Sequence, residues 1–163
     1  MSQPANKRKR TRMENKNQNI AVVQQFFAAY AKEDLEGIRA VLAPDVRWTI
    51  PGHHPLAGTK TSADEVVAFF QQLGKSSFKA TPLFMEANQE WVVDLHRGWN
   101  EAGLAQVDML WVLAYRIENG KIQEVINFAG DQHAADALFW ANYPLAPIPQ
   151  RLPQQPSTVN NQR

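Results

Sequence analysis

Residues 20–55 read IAVVQQFFAAYAKEDLEGIRAVLAPDVRWTIPGHHP, and this stretch decides the fold. Val22, Val23, Phe26, Phe27 and Tyr30 recur at helical spacing, as do Leu35, Ile38, Val41 and Leu42, so two successive helices each carry an apolar stripe. Glu33 and Asp34 fall between the stripes, where they can end one helix and cap the next, and Ala43-Pro44 stops the second. Alternation then takes over. Across residues 45–50, Val46, Trp48 and Ile50 share one face of a strand, which runs into a Pro-Gly-His-His-Pro loop. Two helices laid against a strand that delivers a tryptophan and a histidine pair is a pocket-building arrangement.

Working outward, the first helix is expected to begin near Asn17 or Asn19 and to end near Lys32, with the second over 34–42. Residues 51–58 form a loop punctuated by Pro51, Gly52, Pro55 and Gly58. Ser62, followed three residues later by Glu65, is a capping-box pattern opening a third helix. Val66, Val67, Phe69, Phe70 and Leu73 make its buried stripe, and Gly74 ends it. From Phe78 onward the pattern is strand: 77–86, 90–97, 105–118 and 121–129, joined at residues 87–89, at 98–103 and at the Asn119-Gly120 hairpin turn. In the long third member of this group Met109, Trp111, Leu113, Tyr115 and Ile117 share one face, which must point inward. Asp108 and Arg116 fall on the other, at the surface or in a dimer sheet. Residues 131–143 suit a short closing helix. Helices grouped first and hairpin-linked antiparallel strands after them define an α+β domain.

With 163 residues the chain suits one domain with a real core. Cysteine is absent, which excludes disulfides and thiolate chemistry. No apolar run reaches the length of about 18 residues needed to span a membrane, and the basic N-terminus lacks the apolar run of a signal peptide. A cytoplasmic protein with no membrane partner is the expectation. The formal net charge of +1 hides an asymmetry: residues 1–16 hold six Lys/Arg against Glu14, leaving 11 basic and 15 acidic groups in the remainder. A mildly acidic domain does not call for nucleic acid as a partner, and the 1–16 leader reads as solvated and disordered. Residues 144–163 (PLAPIPQRLPQQPSTVNNQR) form a Pro/Gln-rich tail expected to be extended or disordered. The globular domain is therefore 17–143.

The element order, with APDVRWTIPG after two helices, PLAGT before the third, and ENGKIQEV ahead of the last strand, resembles the nuclear transport factor 2-like superfamily, closest to its SnoaL-like and ketosteroid-isomerase-like branch. The resemblance covers about residues 18–140. It implies a cystatin-like cone: a strongly curved antiparallel sheet wrapped around three N-terminal helices, with an apolar cavity and usually a homodimer. In the ketosteroid isomerases an oxyanion-hole tyrosine, a carboxylate base and a protonated aspartic acid act together. The resemblance puts Phe26, Ile50 and Leu113 at or beside those positions, so enolisation by that route is not expected. The acid/base aspartate of SnoaL-like cyclases falls at Asn127, an amide that transfers no proton at neutral pH.

The remaining proton-transfer candidates are His53 and His54 at the rim and Asp131, which can face them only if the last strand ends in a bulge or inward turn. Asp131 is equally an N-cap. Phe26, Tyr30, Trp48, Ile50, Trp111 and Leu113 are expected to line the cavity, with Asn127 as its best polar group. Those aromatics can equally fill the cone as core. The histidines lack the HxH or HxxxH spacing of a metal site, so no metal and no organic cofactor are expected. The pattern fits a small hydrophobic molecule as partner, handled by a cofactor-independent isomerase, cyclase or hydrolase of a carbonyl or epoxide compound. A non-catalytic binding protein and a dimeric association module of the same fold are the alternatives.

Overall fold

Asp34 sets the first reversal of the chain. Its side chain accepts the Gly37 N–H at 2.9 Å, capping helix α2 (Leu35–Val41), while Glu33 at φ 56° turns the chain out of helix α1 (Pro4–Ala31). The computed structural model describes residues 4–143, and the 144–163 tail lies outside the described residues. The expected start of the first helix is corrected: α1 begins at Pro4 and includes most of the basic segment read as a disordered leader. Proline is suited to a first helical turn, and the Lys, Arg, Met and Glu residues that follow are good helix formers with no breaker among them.

Strand β1 (Leu42–Ile50) leaves α2 directly and pairs with a three-residue strand, β2 (Gly58–Lys60), that the loop punctuation had hidden. Helix α3 (Ala63–Gly74) opens on the expected capping box. Ser62 accepts from Glu65 N–H at 3.2 Å, and Glu65 reaches back to the Thr61 N–H at 2.6 Å. Four long strands follow: β3 (Phe78–Ala87), β4 (Trp91–Asn100), β5 (Asp108–Glu118) and β6 (Lys121–Ala129). Helix α4 (Gln132–Asn142) closes the described chain, with Asp131 as its N-cap accepting from Ala134 N–H at 3.0 Å.

The sheet order is β2-β1-β6-β5-β4-β3. Its expected antiparallel character needs one correction, because β1 and β6 run parallel. They are brought side by side from opposite ends of the domain. The ladder is interrupted near Pro44 in β1 and beside Pro82 in β3, where proline offers no N–H, and again between Arg116 and Ile117 in β5. Such irregularities bend a sheet, and this one curves around α1, α2 and α3. Its concave face carries Val46, Trp48, Val92, Leu113, Tyr115, Ile122 and Val125, all buried against Val23, Phe26, Val66 and Phe70 of the helices. Among the described residues no helix is long and apolar enough to cross a membrane.

Gly98 fixes how tightly the concave face closes. A Cβ there would lie 2.6 Å from the Trp111 indole and 3.0 Å from the Phe78 ring, so the indole lies across β4 only because position 98 has no side chain. Replacing Gly98 with Ala should displace Trp111 and cost about 1–3 kcal/mol of stability, read as a lower denaturation midpoint in urea.

Candidate functional site

Inside the cone the aromatic side chains largely meet. Phe26 packs against Trp48, Phe70 and Tyr115 with ring centroids 5.4, 5.4 and 6.1 Å apart, and Trp48 meets Phe70 edge-on at 5.2 Å. What remains is a cavity of about 60 Å³, equivalent to roughly two waters at liquid density. Phe26, Tyr30, Trp48, Ile50, Trp111, Leu113 and Asn127 all stand in its wall, as the sequence suggested. Phe27, Phe69, Phe70, Phe78 and Phe139 add to its apolar lining.

The histidine loop is held differently from its expected role. Gly52, at φ 107°, packs so closely on α4 that a Cβ would lie 2.1 Å from Asp136 Oδ1. The His53 N–H donates to that carboxylate at 3.2 Å, and the Trp140 indole N–H donates to the His53 carbonyl. The His53 side chain is exposed and stands outside the cavity wall. His54 does reach the wall, stacked on Phe139 at 4.2 Å, but both its ring nitrogens are engaged. Leu56 N–H donates to Nδ1 at 3.2 Å, so Nε2 carries the proton and bonds the Pro51 carbonyl at 3.0 Å. Burial lowers the pKa of His54 and favours this neutral tautomer. Asp131 is exposed at the start of α4 and outside the cavity wall. None of the three expected acid/base residues presents a free proton-transfer atom to the cavity.

The group that does is His96, with Asp94 behind it. Both lie on the concave face of β4, two residues apart, with side chains 7% and 0% exposed. His96 Nδ1 and Asp94 Oδ2 are 2.6 Å apart, the length of a strong charge-assisted hydrogen bond. A carboxylate on Nδ1 fixes the tautomer, so Nδ1–H donates and Nε2 is left as the lone-pair nitrogen of the neutral ring. Among the described residues Nε2 makes no hydrogen bond, and the ring lies in the cavity wall, edge-on to Phe27 at 5.6 Å. Neither His96 nor Asp94 is among the proton-transfer candidates read from the sequence; the signal for them is the Asp-x-His spacing, which places two polar residues on one strand face.

A second polar element is Asn127. The Trp48 indole N–H donates to its Oδ1 at 2.8 Å across the parallel β1–β6 pair, which orients the amide and leaves Nδ2 able to donate to a ligand oxygen. At the other end, Tyr30, Phe70, Phe78 and Ala80 belong both to the cavity wall and to an outer groove of about 650 Å³ between α1, α3 and β3. The Tyr30 hydroxyl donates to the Phe78 carbonyl at 2.7 Å, and burial raises its pKa, so it stays a donor. Those four residues are the partition between cavity and groove.

The chain belongs to the SnoaL-like domain family, whose profile matches residues 23–125. An uncharacterised protein of Mycobacterium tuberculosis is 27% identical over 127 residues, covering 76% of this chain and 96% of that protein. An NTF2-like protein of unknown function from Burkholderia pseudomallei superposes with a TM-score of 0.68 at 29% identity, over 75% of this chain and 97% of that one. Bal32a, from a soil-derived mobile gene cassette, has a TM-score of 0.73 at 22% identity, over 77% and 98% of the two chains, a likeness of fold alone. The superfamily and the cystatin-like cone are thus those that the helix pair and the APDVRW strand entry indicated.

The depressed His54 pKa has a sign that can be tested. The unfolded histidine takes up a proton near pH 6.5, whereas the folded one resists until lower pH. Its contribution to stability is therefore intact above about pH 6.5 and is lost as pH falls from there through the folded pKa. Comparing urea midpoints of the wild type and His54→Gln between pH 7.5 and 5 should show a smaller acid loss in the variant.

Proposed function

We propose that this protein is an enzyme in which His96, oriented by Asp94, performs general acid–base chemistry on a small hydrophobic carbonyl or epoxide compound without an organic cofactor. One observation carries the reading: a buried imidazole in the wall of a mainly apolar cavity, backed by a buried carboxylate on its Nδ1. Burying an ionisable pair is costly and gives no packing advantage over apolar residues of similar size, so its presence points to use. Nε2 would take a proton from a bound carbonyl compound, or from a water attacking an epoxide, and return it later. Asn127 Nδ2 would hold the substrate oxygen. Isomerisation, cyclisation and hydrolysis all fit this set.

The cavity's size bears on the substrate. A compound of more than a few heavy atoms must displace side chains, and the Tyr30–Phe70–Phe78 partition is the part of the wall with open space behind it. A filled cone also favours a second reading, a non-catalytic scaffold, supported by the apolar residues at all three isomerase positions. A panel of small enones, cyclic ketones and epoxides separates the two. Turnover that falls by roughly a hundredfold or more in both His96→Gln and Asp94→Asn, with the fold retained, supports the enzyme. Turnover unchanged by both variants removes it, and no turnover on any of the panel favours the scaffold.

We further propose a homodimer built on the convex face of the sheet. The register aligns Phe84, Leu95, Val112 and Phe128 in one row across β3, β4, β5 and β6. Phe84 is 55% exposed and Phe128 52%. Arg97–Asp108 and Arg116–Glu124 flank this row and satisfy one another within the chain, leaving the apolar stripe for a second copy. Light scattering on the purified protein should give twice the chain mass, and Phe128→Glu should shift it to the monomer.

A further inference from the structure

Among the described residues three buried side-chain polar atoms lack partners: Asp94 Oδ1, the Tyr115 hydroxyl and Trp111 Nε1, the last lying over Gly98, two residues past His96 on β4. Asp94 uses Oδ2 on His96, while its Oδ1 is buried with no hydrogen bond; the Tyr115 hydroxyl is likewise buried and unpartnered. Both residues are 0% exposed. In the β4–β5 register Asp94 lies opposite Leu113 and Tyr115 opposite Val92, so the two side chains are diagonal neighbours on the concave face. A donor hydroxyl and a carboxylate oxygen, each without another partner and placed side by side in a dry core, are complementary.

We propose that Tyr115 is a positioning residue of the dyad: its hydroxyl donates to Asp94 Oδ1, giving a buried chain Tyr115–Asp94–His96. The proposal rests on the acid–base reading of His96 and names a residue that reading does not require. Tyr115 reaches no cavity wall, so it acts only through Asp94. It holds the carboxylate plane with Oδ2 on Nδ1 and satisfies the second carboxylate oxygen, which otherwise has no donor in an apolar core. Burial first, and then the Asp94 charge, push the Tyr115 pKa far up, so the hydroxyl remains a donor throughout the working range. The other titratable groups in the cavity wall are Tyr30 from α1 and His54 from the loop after β1; α3, β1, β6 and α4 contribute apolar or neutral side chains there.

The test is histidine ¹⁵N NMR titration of the full chain, wild type against Tyr115→Phe. The hydroxyl stabilises the carboxylate most when the imidazole is neutral, so removing it raises the pH at which the pair takes up its proton. A rise of roughly half to one pH unit in the His96 midpoint is expected, whichever partner holds the proton. An unchanged midpoint in a folded variant overturns the role. A second readout needs no variant: the Tyr115 ¹³Cζ shift in the wild type should move at the His96 midpoint, and a flat response overturns the proposal even if Tyr115→Phe misfolds. Failure of the underlying reading looks different. There, His96→Gln keeps full turnover while the Tyr115 and His96 signals still titrate together.

Discussion

Trp48 is the point at which the two halves of the chain meet. Its ring is 1% exposed and touches Phe26 from α1, Phe70 from α3 and Tyr115 from β5, while its indole N–H bonds Asn127 on β6. A side chain of this size brings one of the largest apolar burials available to a single residue. Its one polar atom is satisfied across the parallel β1–β6 junction, the only non-hairpin pairing between long strands in the described sheet. The helical half and the strand half of the sequence are therefore locked together at one indole. The curvature of the sheet, the closing of the cone and the position of the cavity follow from that contact.

The same aromatic cluster sets the terms for chemistry. Rings that fill the cone leave little free volume, and among the few polar groups kept there is one bonded carboxylate–imidazole pair. A carboxylate and an imidazole bonded at 2.6 Å in such surroundings interact far more strongly than they would in water, because the effective dielectric is low. The fold does not supply this pair. Phe26, Ile50 and Leu113, the positions that the resemblance to the isomerases implies, are buried apolar residues, and the buried carboxylate lies on β4.

Much of the architecture was legible because local rules and tertiary packing agree. The Asp34 and Ser62 caps, the Asn119-Gly120 turn and the inward row Trp111, Leu113, Tyr115 all stand where spacing placed them. Strand β4 is the exception. In WVVDLHRG the apolar residues Trp91, Val93 and Leu95 alternate with Val92, Asp94 and His96, and hydrophobic pattern alone points the first set inward. The structure buries the second set instead and leaves Val93 39% exposed. A strand whose convex face is apolar and whose concave face carries Asp94 and His96 reads inverted, and hydrophobic pattern hides the pair for that reason.

The sequence by itself determined the elements, their order, their caps and the family, because these depend on residues within a few positions of one another. It also determined which aromatic residues would gather in the cone. Only the tertiary structure decided which polar groups face the cavity. His54 lost its candidacy to the Pro51 carbonyl and the Leu56 amide, and Asp131 to the first turn of α4. His96 gained its place through the register of β4 against β5. Such outcomes rest on hydrogen bonds and strand pairings that period and propensity do not encode, since a shift of one residue in register exchanges the two faces of a strand.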